Sequence, residues 1–180
     1  MFMIQAGTGK TMKKLLLLVP LLLSGCSLGA PEGVTPVSGF ELERYLGKWH
    51  EIARLDHRFE RGLTQVTAEY SLRGDGGVRV LNRGYKAAKR EWKQAEGRAY
   101  FNGDKSVGSL RVSFFRPFYG GYNIVELDKE NYSYALVCGP DRSYLWILAR
   151  EPQLDPEVLE RLKARAAELG FDTAALVFPG

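Results

Sequence analysis

The sequence predicts an all-β protein: an eight-stranded antiparallel up-and-down β-barrel with one C-terminal α-helix packed outside. Segments with strand character recur at short intervals from Trp49 to Arg150, and turns of hairpin length separate them. The only long helical pattern follows the last of these strands. Consecutive antiparallel strands hide their edges by closing into a barrel, and short sequential links favour this arrangement over a β-sandwich with Greek-key crossings.

The predicted elements follow one another in a regular order. The second strand alternates apolar residues such as Val66 and Tyr70 with polar ones, as a strand with one buried face does. The helix is expected to begin after a capping Asp155, with Pro156 in its first position, and to end at Gly170. After a first strand that starts at Trp49, the predicted strands are 64–72, 78–85, 91–101, 110–115, 122–127, 132–138 and 144–150.

The start of the chain has the pattern of a secretory signal peptide. Lys13 and Lys14 precede a nine-residue apolar run, which is far shorter than the ~20 residues that cross a bilayer as a helix. The stretch Leu23-Ser24-Gly25-Cys26 resembles a bacterial lipobox, and this resemblance implies cleavage before Cys26 and lipidation of its thiol and new amine. Met12 is an alternative start of the same leader.

Removal of residues 1–25 leaves 155 residues, enough for one domain with a substantial core. The mature chain has 22 basic and 21 acidic residues, so its charge gives no support for nucleic-acid binding. Cys138 is the only other cysteine and is interpreted as a buried free thiol. Residues 26–38, with Pro31 and Pro36, are interpreted as the lipidated N-terminus and a flexible tether, and residues 39–180 as the domain.

Three short motifs resemble the ordered signatures of the lipocalin family. They are Gly47-Lys48-Trp49, Tyr132-Ser133-Tyr134 and Arg150, and longer stretches such as 117–123 and 135–142 are similar to bacterial outer-membrane lipocalins, which are relatives of apolipoprotein D. The resemblance implies that Trp49 closes one end of the barrel. It also implies that Arg150 lies over the indole and donates to carbonyls of residues 40–46, so Gly47, Trp49 and Arg150 are expected to have structural roles.

The alternation of side chains along each strand predicts a ligand cavity inside the barrel, whereas Leu136 and Cys138 should point outward beneath the helix. Small residues on the inner face favour a true cavity over a barrel filled by its own side chains. The predicted cavity residues are Glu51, Ala53, Val66, Ala68, Tyr70, Val80, Asn82, Phe114, Ala135, Val137, Tyr144 and Trp146.

Four loops should surround the open end of the barrel, at 56–63, 86–91, 116–121 and 139–143. Aromatic residues beside arginines suit the entry of an acyl chain with a phosphate held at the rim, although ordinary surface charge explains them nearly as well. The predicted rim residues are Arg58, Phe59, Arg116, Phe118, Tyr119 and Arg142.

The resemblance implies binding, storage or transport of fatty acids or lysophospholipids at the outer membrane, facing the periplasm, for envelope maintenance under stress. No cofactor, metal site or nucleic-acid partner is expected, and a homodimer is left open. One alternative is a lipid-modifying enzyme, with Glu51 in the apolar barrel acting as a base. The other is a structural envelope lipoprotein whose barrel is filled.

Overall fold

The computed structural model describes residues 28–180, so the leader, Cys26 and Ser27 lie outside the described residues. The described chain forms nine strands, two helices and two short 3-10 turns. In chain order the elements are α1 (Leu42–Tyr45), β1 (Gly47–Leu55), β2 (Leu63–Leu72), β3 (Val78–Lys86), β4 (Glu91–Phe101), β5 (Ser109–Phe115), β6 (Phe118–Leu127), β7 (Tyr134–Cys138), β8 (Leu145–Ala149), α2 (Pro156–Glu168) and β9 (Leu176–Val177).

The first eight strands close into the predicted antiparallel barrel. Each strand from β2 to β7 pairs with the next, β8 pairs with β1, and β1 pairs with β2 to complete the ring. The order and approximate bounds of the predicted strands are therefore confirmed. The short strand β9, which the sequence did not predict, pairs with the end of β1 through Arg54 and Val177.

Helix α2 covers one side of the barrel and encloses a second core. The Asp155 carboxylate accepts hydrogen bonds from the backbone N–H groups of Glu157 and Val158, as an N-cap does. Leu162 and Ala166 are fully buried in the cluster that contains Leu136 and Cys138. The prediction that Leu136 and Cys138 point outward beneath the helix is confirmed.

Trp49 and Arg150 form the closed end as expected. The Arg150 guanidinium lies 4.0 Å from the centre of the Trp49 ring, and its Nη2 donates to the Arg44 carbonyl at 2.7 Å. Trp49 is fully buried, and its Nε1 donates to the Tyr45 carbonyl at 2.8 Å. Gly47 adopts a φ of +93°, which disfavours other residues, beside the same guanidinium. These contacts connect α1 with both β1 and β8 at the base of the barrel.

Residues 28–38 pack against the barrel, so the expectation of a flexible tether is wrong for this part of the chain. Val37 donates its N–H to the Ile124 carbonyl at 2.8 Å and accepts from the Gly108 N–H at 2.9 Å. Val34 is buried in the second core. The prolines favour an extended backbone, and the valines between them supply apolar contacts, so this segment lies as a strap along the outside of the barrel.

Candidate ligand-binding cavity

The barrel encloses a cavity of about 800 Å³ that opens between the loops at the end opposite Trp49. Its walls come from the inward faces of the strands, and its size is in the range of about 300–1,000 Å³ that is usual for small-molecule sites. Nine of the twelve predicted cavity residues line it: Glu51, Val66, Ala68, Tyr70, Val80, Asn82, Phe114, Tyr144 and Trp146.

Ala53 lies outside this cavity, in the second core beneath α2. The cause is a β-bulge in β1, where Glu51 pairs with Leu148 but Ala53 pairs with its neighbour Ile147. The extra residue reverses the alternation, so Ala53 faces outward although Glu51 faces inward. The prediction for Ala53 is therefore wrong.

Ala135 and Val137 do point into the barrel but do not line the cavity. Both are fully buried in the same inner cluster as Trp49 and Ile124. Strand parity was therefore correct for these two residues. Parity alone does not predict how far the packed core at the closed end extends along the barrel axis. Ala135 and Val137 lie within this core, so neither side chain reaches the cavity.

The rim predictions divide into two groups. Arg58, Phe59, Phe118 and Tyr119 line the mouth of the cavity, whereas Arg116 is exposed on the β5–β6 hairpin beside it. Arg142 is directed away from the mouth, and the prediction that it belongs to the rim is wrong. Its guanidinium donates to the carbonyls of Leu169 and Glu32, both at 2.8 Å, and so joins the end of α2 to the strap.

Three tyrosines form a polar floor that the sequence analysis only partly found. The Tyr122 hydroxyl lies 2.7 Å from the Tyr45 hydroxyl and 2.8 Å from the Tyr70 hydroxyl, and all three residues line the cavity. Burial raises the pKa of each phenol, so all three stay neutral at physiological pH. Tyr122 shares the parity of other inward residues of β6, but Tyr45 precedes the first strand, and no strand pattern includes it.

A buried charge cluster forms one wall near the mouth. Arg54 Nη1 donates to Glu51 Oε1 at 2.6 Å, and Arg54 Nη2 donates to the Glu60 carbonyl at 3.0 Å. Trp146 Nε1 donates to Glu60 Oε2 at 3.1 Å, and His57 Nε2 lies 3.2 Å from the same oxygen. The loop between β1 and β2 thus folds inward, which its polar sequence did not predict.

The two carboxyl groups of this cluster share a single buried cation. Burial raises the pKa of Glu51 to about 8, and the Glu60 charge raises it further; together these effects exceed the lowering by the hydrogen bond and charge of Arg54. Burial also raises the pKa of Glu60. In contrast, burial and the Arg54 charge lower the pKa of His57 to about 4. At neutral pH the cluster therefore holds a proton on a carboxyl group and a neutral imidazole.

Basic residues near the mouth, which the sequence analysis did not select, also line the cavity. Arg61 pairs with Asp56 at 2.6 Å, and Lys93 pairs with Glu91 at 2.9 Å. Lys86 lies at the end of β3 on the same side. The run of basic residues at 86–93 was the available signal, because a β3–β4 turn must lie at the open end of an up-and-down barrel.

The cavity combines apolar walls with polar and charged groups at its floor and near its mouth, which suits the binding of an amphipathic molecule. Among residues 28–180, His, Cys, Asp and Glu side chains form no group that could hold a metal ion. Within the same residues, no helix has the length and hydrophobicity to span a membrane.

A closed eight-stranded barrel with a Trp–Arg pair at one end and a cavity open at the other is the architecture of the lipocalins, and this chain belongs to that family. Residues 40–179 match the family described as a lipocalin-like domain. The outer membrane lipoprotein Blc of Vibrio cholerae is 58% identical to this chain over 163 residues, which cover 91% of this chain and 95% of that protein.

Two more distant proteins show how widely the architecture is shared. Apolipoprotein D of Bos taurus is 33% identical over 168 residues, which cover 84% of this chain and 87% of that protein. Insecticyanin of the tobacco hornworm Manduca sexta has 22% identity and a TM-score of 0.67, over 84% of this chain and 86% of that one. The resemblance found in the sequence is confirmed, and insecticyanin supports the fold.

Proposed function

We propose that this lipocalin binds amphipathic lipids with a single acyl chain, either fatty acids or lysophospholipids, and stores or carries them at the outer membrane. The observation that carries the proposal is the cavity of about 800 Å³, apolar along its walls and open at one end. A structural lipoprotein with a filled barrel would have no such space. Each methylene of a lipid transferred from water into this cavity contributes ~0.8 kcal/mol.

The depth of the cavity matches one acyl chain. Leu63 near the mouth and Tyr70 near the floor both line it and are seven residues apart on β2. At ~3.3 Å per residue and a strand tilt of roughly 40°, they are separated by about 18 Å along the barrel axis. One leaflet of a bilayer has a hydrocarbon thickness of about 15 Å, so a full chain fits between mouth and floor.

Charges at the mouth favour an anionic head group, whether a carboxylate or a phosphate. Arg58, Arg61, Lys86 and Lys93 all line this end of the cavity. Guanidinium and ammonium groups form charge-assisted hydrogen bonds with both kinds of anion. The acyl chain then points toward the tyrosine floor, and the head group stays at the rim.

Binding is better supported than catalysis. An enzyme with Glu51 as its general base would need this carboxyl free to reach the lipid. Glu51 Oε1 instead accepts a hydrogen bond from the buried Arg54 at 2.6 Å. To act as a base, Glu51 would first have to break its ion pair with the buried Arg54 guanidinium.

The proposed location is the periplasmic side of the outer membrane, through a lipid anchor on Cys26. The lipobox resemblance supports this location, as does the similarity to proteins named outer membrane lipoprotein. Cys26→Ser should release the protein from the membrane fraction, because the anchor chains are lost. A processed Cys26→Ser protein that stays in the outer membrane would contradict the assignment of the anchor.

We further propose that the protein takes part in envelope maintenance. A strain that lacks the protein should then be more sensitive to envelope stress than the wild type.

Two measurements test lipid binding directly. Native mass spectrometry of the protein isolated from membranes should show a co-purified lipid, and its mass distinguishes a fatty acid from a lysophospholipid. Ala68→Trp should fill the cavity and weaken binding of a fluorescent fatty-acid analogue, whereas Glu69→Trp on the outer face of the same strand should not. Equal binding by a folded Ala68→Trp variant would contradict the proposal.

A further inference from the structure

An asparagine lies among apolar residues in the wall of the cavity. Asn82 is in the middle of β3 and lines the cavity. Its cross-strand partners are Ala68 on β2 and Ala95 on β4, and both line the same space. Val80 and Gly84, two residues away on either side along β3, also line it. None of these four neighbours has a polar side-chain atom, so the Asn82 amide is the polar centre of an apolar part of the wall.

The amide of Asn82 is incompletely paired. Its Oδ1 is buried and has no hydrogen-bond partner within residues 28–180. A buried acceptor without a donor destabilises the folded state, because the group loses its contacts with water and gains no replacement. Buried polar groups in folded proteins are normally paired. A ligand that supplies the missing partner accounts for an unpaired amide at this position.

The two alanines leave room beside the amide. Directly opposite Cβ atoms in a sheet are only about 4.5–5.5 Å apart, so longer side chains at these positions would fill the space next to Asn82. Ala68 and Ala95 instead carry one methyl group each, and we call the space that they bound with Asn82 the Asn82 recess. A buried water molecule needs about two to four polar partners, and the apolar residues around the recess offer few. A polar group that belongs to the ligand is held in place by the rest of the ligand.

We propose that the cavity takes an acyl chain that carries a hydroxyl group along its length, and that Asn82 binds this hydroxyl. A hydroxyl group can both donate and accept a hydrogen bond. The χ2 torsion of asparagine is broad, so the side chain can present either its carbonyl oxygen or its N–H groups to the ligand. The inference rests on the proposed binding of a single acyl chain and specifies that chain as a hydroxylated one.

The depth of the Asn82 recess indicates where the hydroxyl lies on the chain. Ala68, which pairs with Asn82, is two residues from Tyr70 on β2, on the side toward the mouth. At ~3.3 Å per residue and a strand tilt of roughly 40°, Ala68 is about 5 Å above Tyr70 along the axis of a cavity about 18 Å deep. With the head group at the mouth, the recess therefore faces the half of the chain that is remote from the head group.

A competition measured by native mass spectrometry tests this preference on the full-length protein isolated from membranes in detergent micelles. The protein, freed of bound ligand, is offered stearate and 12-hydroxystearate in equal amounts, and the two complexes differ in mass by one oxygen atom. Wild type should bind the hydroxylated chain at least as well as stearate. Asn82→Leu should shift the ratio of the complexes toward stearate by about tenfold or more, because the buried hydroxyl then lacks its partner. An unchanged ratio in Asn82→Leu would overturn the proposal.

Two controls separate the contact with Asn82 from a general change in the cavity. With 2-hydroxystearate, whose hydroxyl stays near the mouth, wild type and Asn82→Leu should give the same ratio to stearate. Val80→Ala changes the neighbouring wall but keeps the amide, and it should not alter the preference for 12-hydroxystearate. A shift as large as the expected one in either control would contradict the assignment to Asn82. Normal stearate binding with a ratio that does not depend on Asn82 refutes this inference alone, whereas failure of every ligand to bind also refutes the proposed function.

Thermal unfolding of the ligand-free protein gives an independent readout. Asn82→Leu replaces an incompletely paired amide by an apolar side chain of similar size, so the variant should unfold at the same temperature as wild type or at a higher one. An asparagine with a structural role would show the opposite result, because its replacement would break a hydrogen bond within the protein. A marked decrease in the unfolding temperature would therefore contradict a role of this amide in ligand binding.

Discussion

The buried cluster around Glu51 should make the stability of the barrel fall between pH 6.5 and 8. The pKa of Glu51 is about 8 in the folded protein, where burial raises it, and 4.5 for an unperturbed glutamate, so over this range the folded state holds a proton that the unfolded state has lost. Stability decreases with rising pH wherever the folded state binds more protons. At ~1.4 kcal/mol per pH unit, the loss over these 1.5 units is about 2 kcal/mol.

His57 gives the opposite slope at lower pH. Burial lowers its pKa from 6.5, the value of an unperturbed histidine, to about 4 on folding, so the unfolded state binds more protons between these values and stability rises with pH. The pKa of His50 is also lowered, mainly by burial, and acts in the same direction. Below pH 6.5 the histidine and glutamate slopes oppose each other. Above it, the histidine slopes end and the Glu51 slope remains, so stability should decline from pH 6.5 to 8.

The assay is denaturant unfolding, followed by tryptophan fluorescence, of wild type and Glu51→Gln at a series of pH values. Glutamine cannot titrate, so the variant should lose most of the decline above pH 6.5, even if its overall stability differs from that of wild type. Glu69→Gln on the barrel exterior is the control and should keep the wild-type slope. A wild type with constant stability from pH 6.5 to 8, or a Glu51→Gln variant with an unchanged slope, would refute the reasoning.

Three further substitutions test separate parts of the structure. Trp49→Ala should lower the free energy of unfolding by about 3–5 kcal/mol, because it empties a fully buried site and removes the ring under Arg150; a small change in denaturant unfolding would argue against a closing role. Trp146→Glu should weaken binding of a fluorescent fatty-acid analogue at least about tenfold, since it places a carboxylate in the cavity wall beside Glu60. Ile147→Glu, its control beneath α2, should reduce stability rather than selectively reduce binding, and the reverse pattern would contradict the assigned faces. Asp155→Ala should cost about 1 kcal/mol in thermal unfolding through loss of the N-cap, and no loss would mean that the cap is dispensable.

Regular alternation made most of the barrel predictable, and departures from it account for the error at Ala53. Nothing in the apolar pair Ile52-Ala53 indicates a bulge, because both the regular and the bulged backbone bury apolar side chains there. The strap was misread because proline and glycine suggest flexibility, while the contacts of Val34 and Val37 depend on distant strands.

The polar part of the cavity was the hardest to predict. The sequence placed Glu51 inside the barrel by parity, but its partner Arg54 follows the bulge. Glu60, whose carbonyl accepts from Arg54, lies in a loop. A charged loop normally stays in solvent, and His57 and Glu60 are buried because Arg54 and Trp146 meet them inside the barrel. Such a cluster depends on tertiary packing, and local sequence patterns do not encode it.

The three tyrosine hydroxyl groups of the floor carry one more hydrogen than their two mutual hydrogen bonds use. Three hydroxyl groups supply three hydrogens, but the two contacts that join Tyr122 to Tyr45 and Tyr70 use only two of them. One hydrogen must point away from the trio, and leaving a buried donor without an acceptor costs about 1–3 kcal/mol. A hydrocarbon chain end offers no acceptor. A bound acyl chain should therefore stop one water molecule short of the floor, whereas a chain that ends in a hydroxyl or keto oxygen could reach it directly.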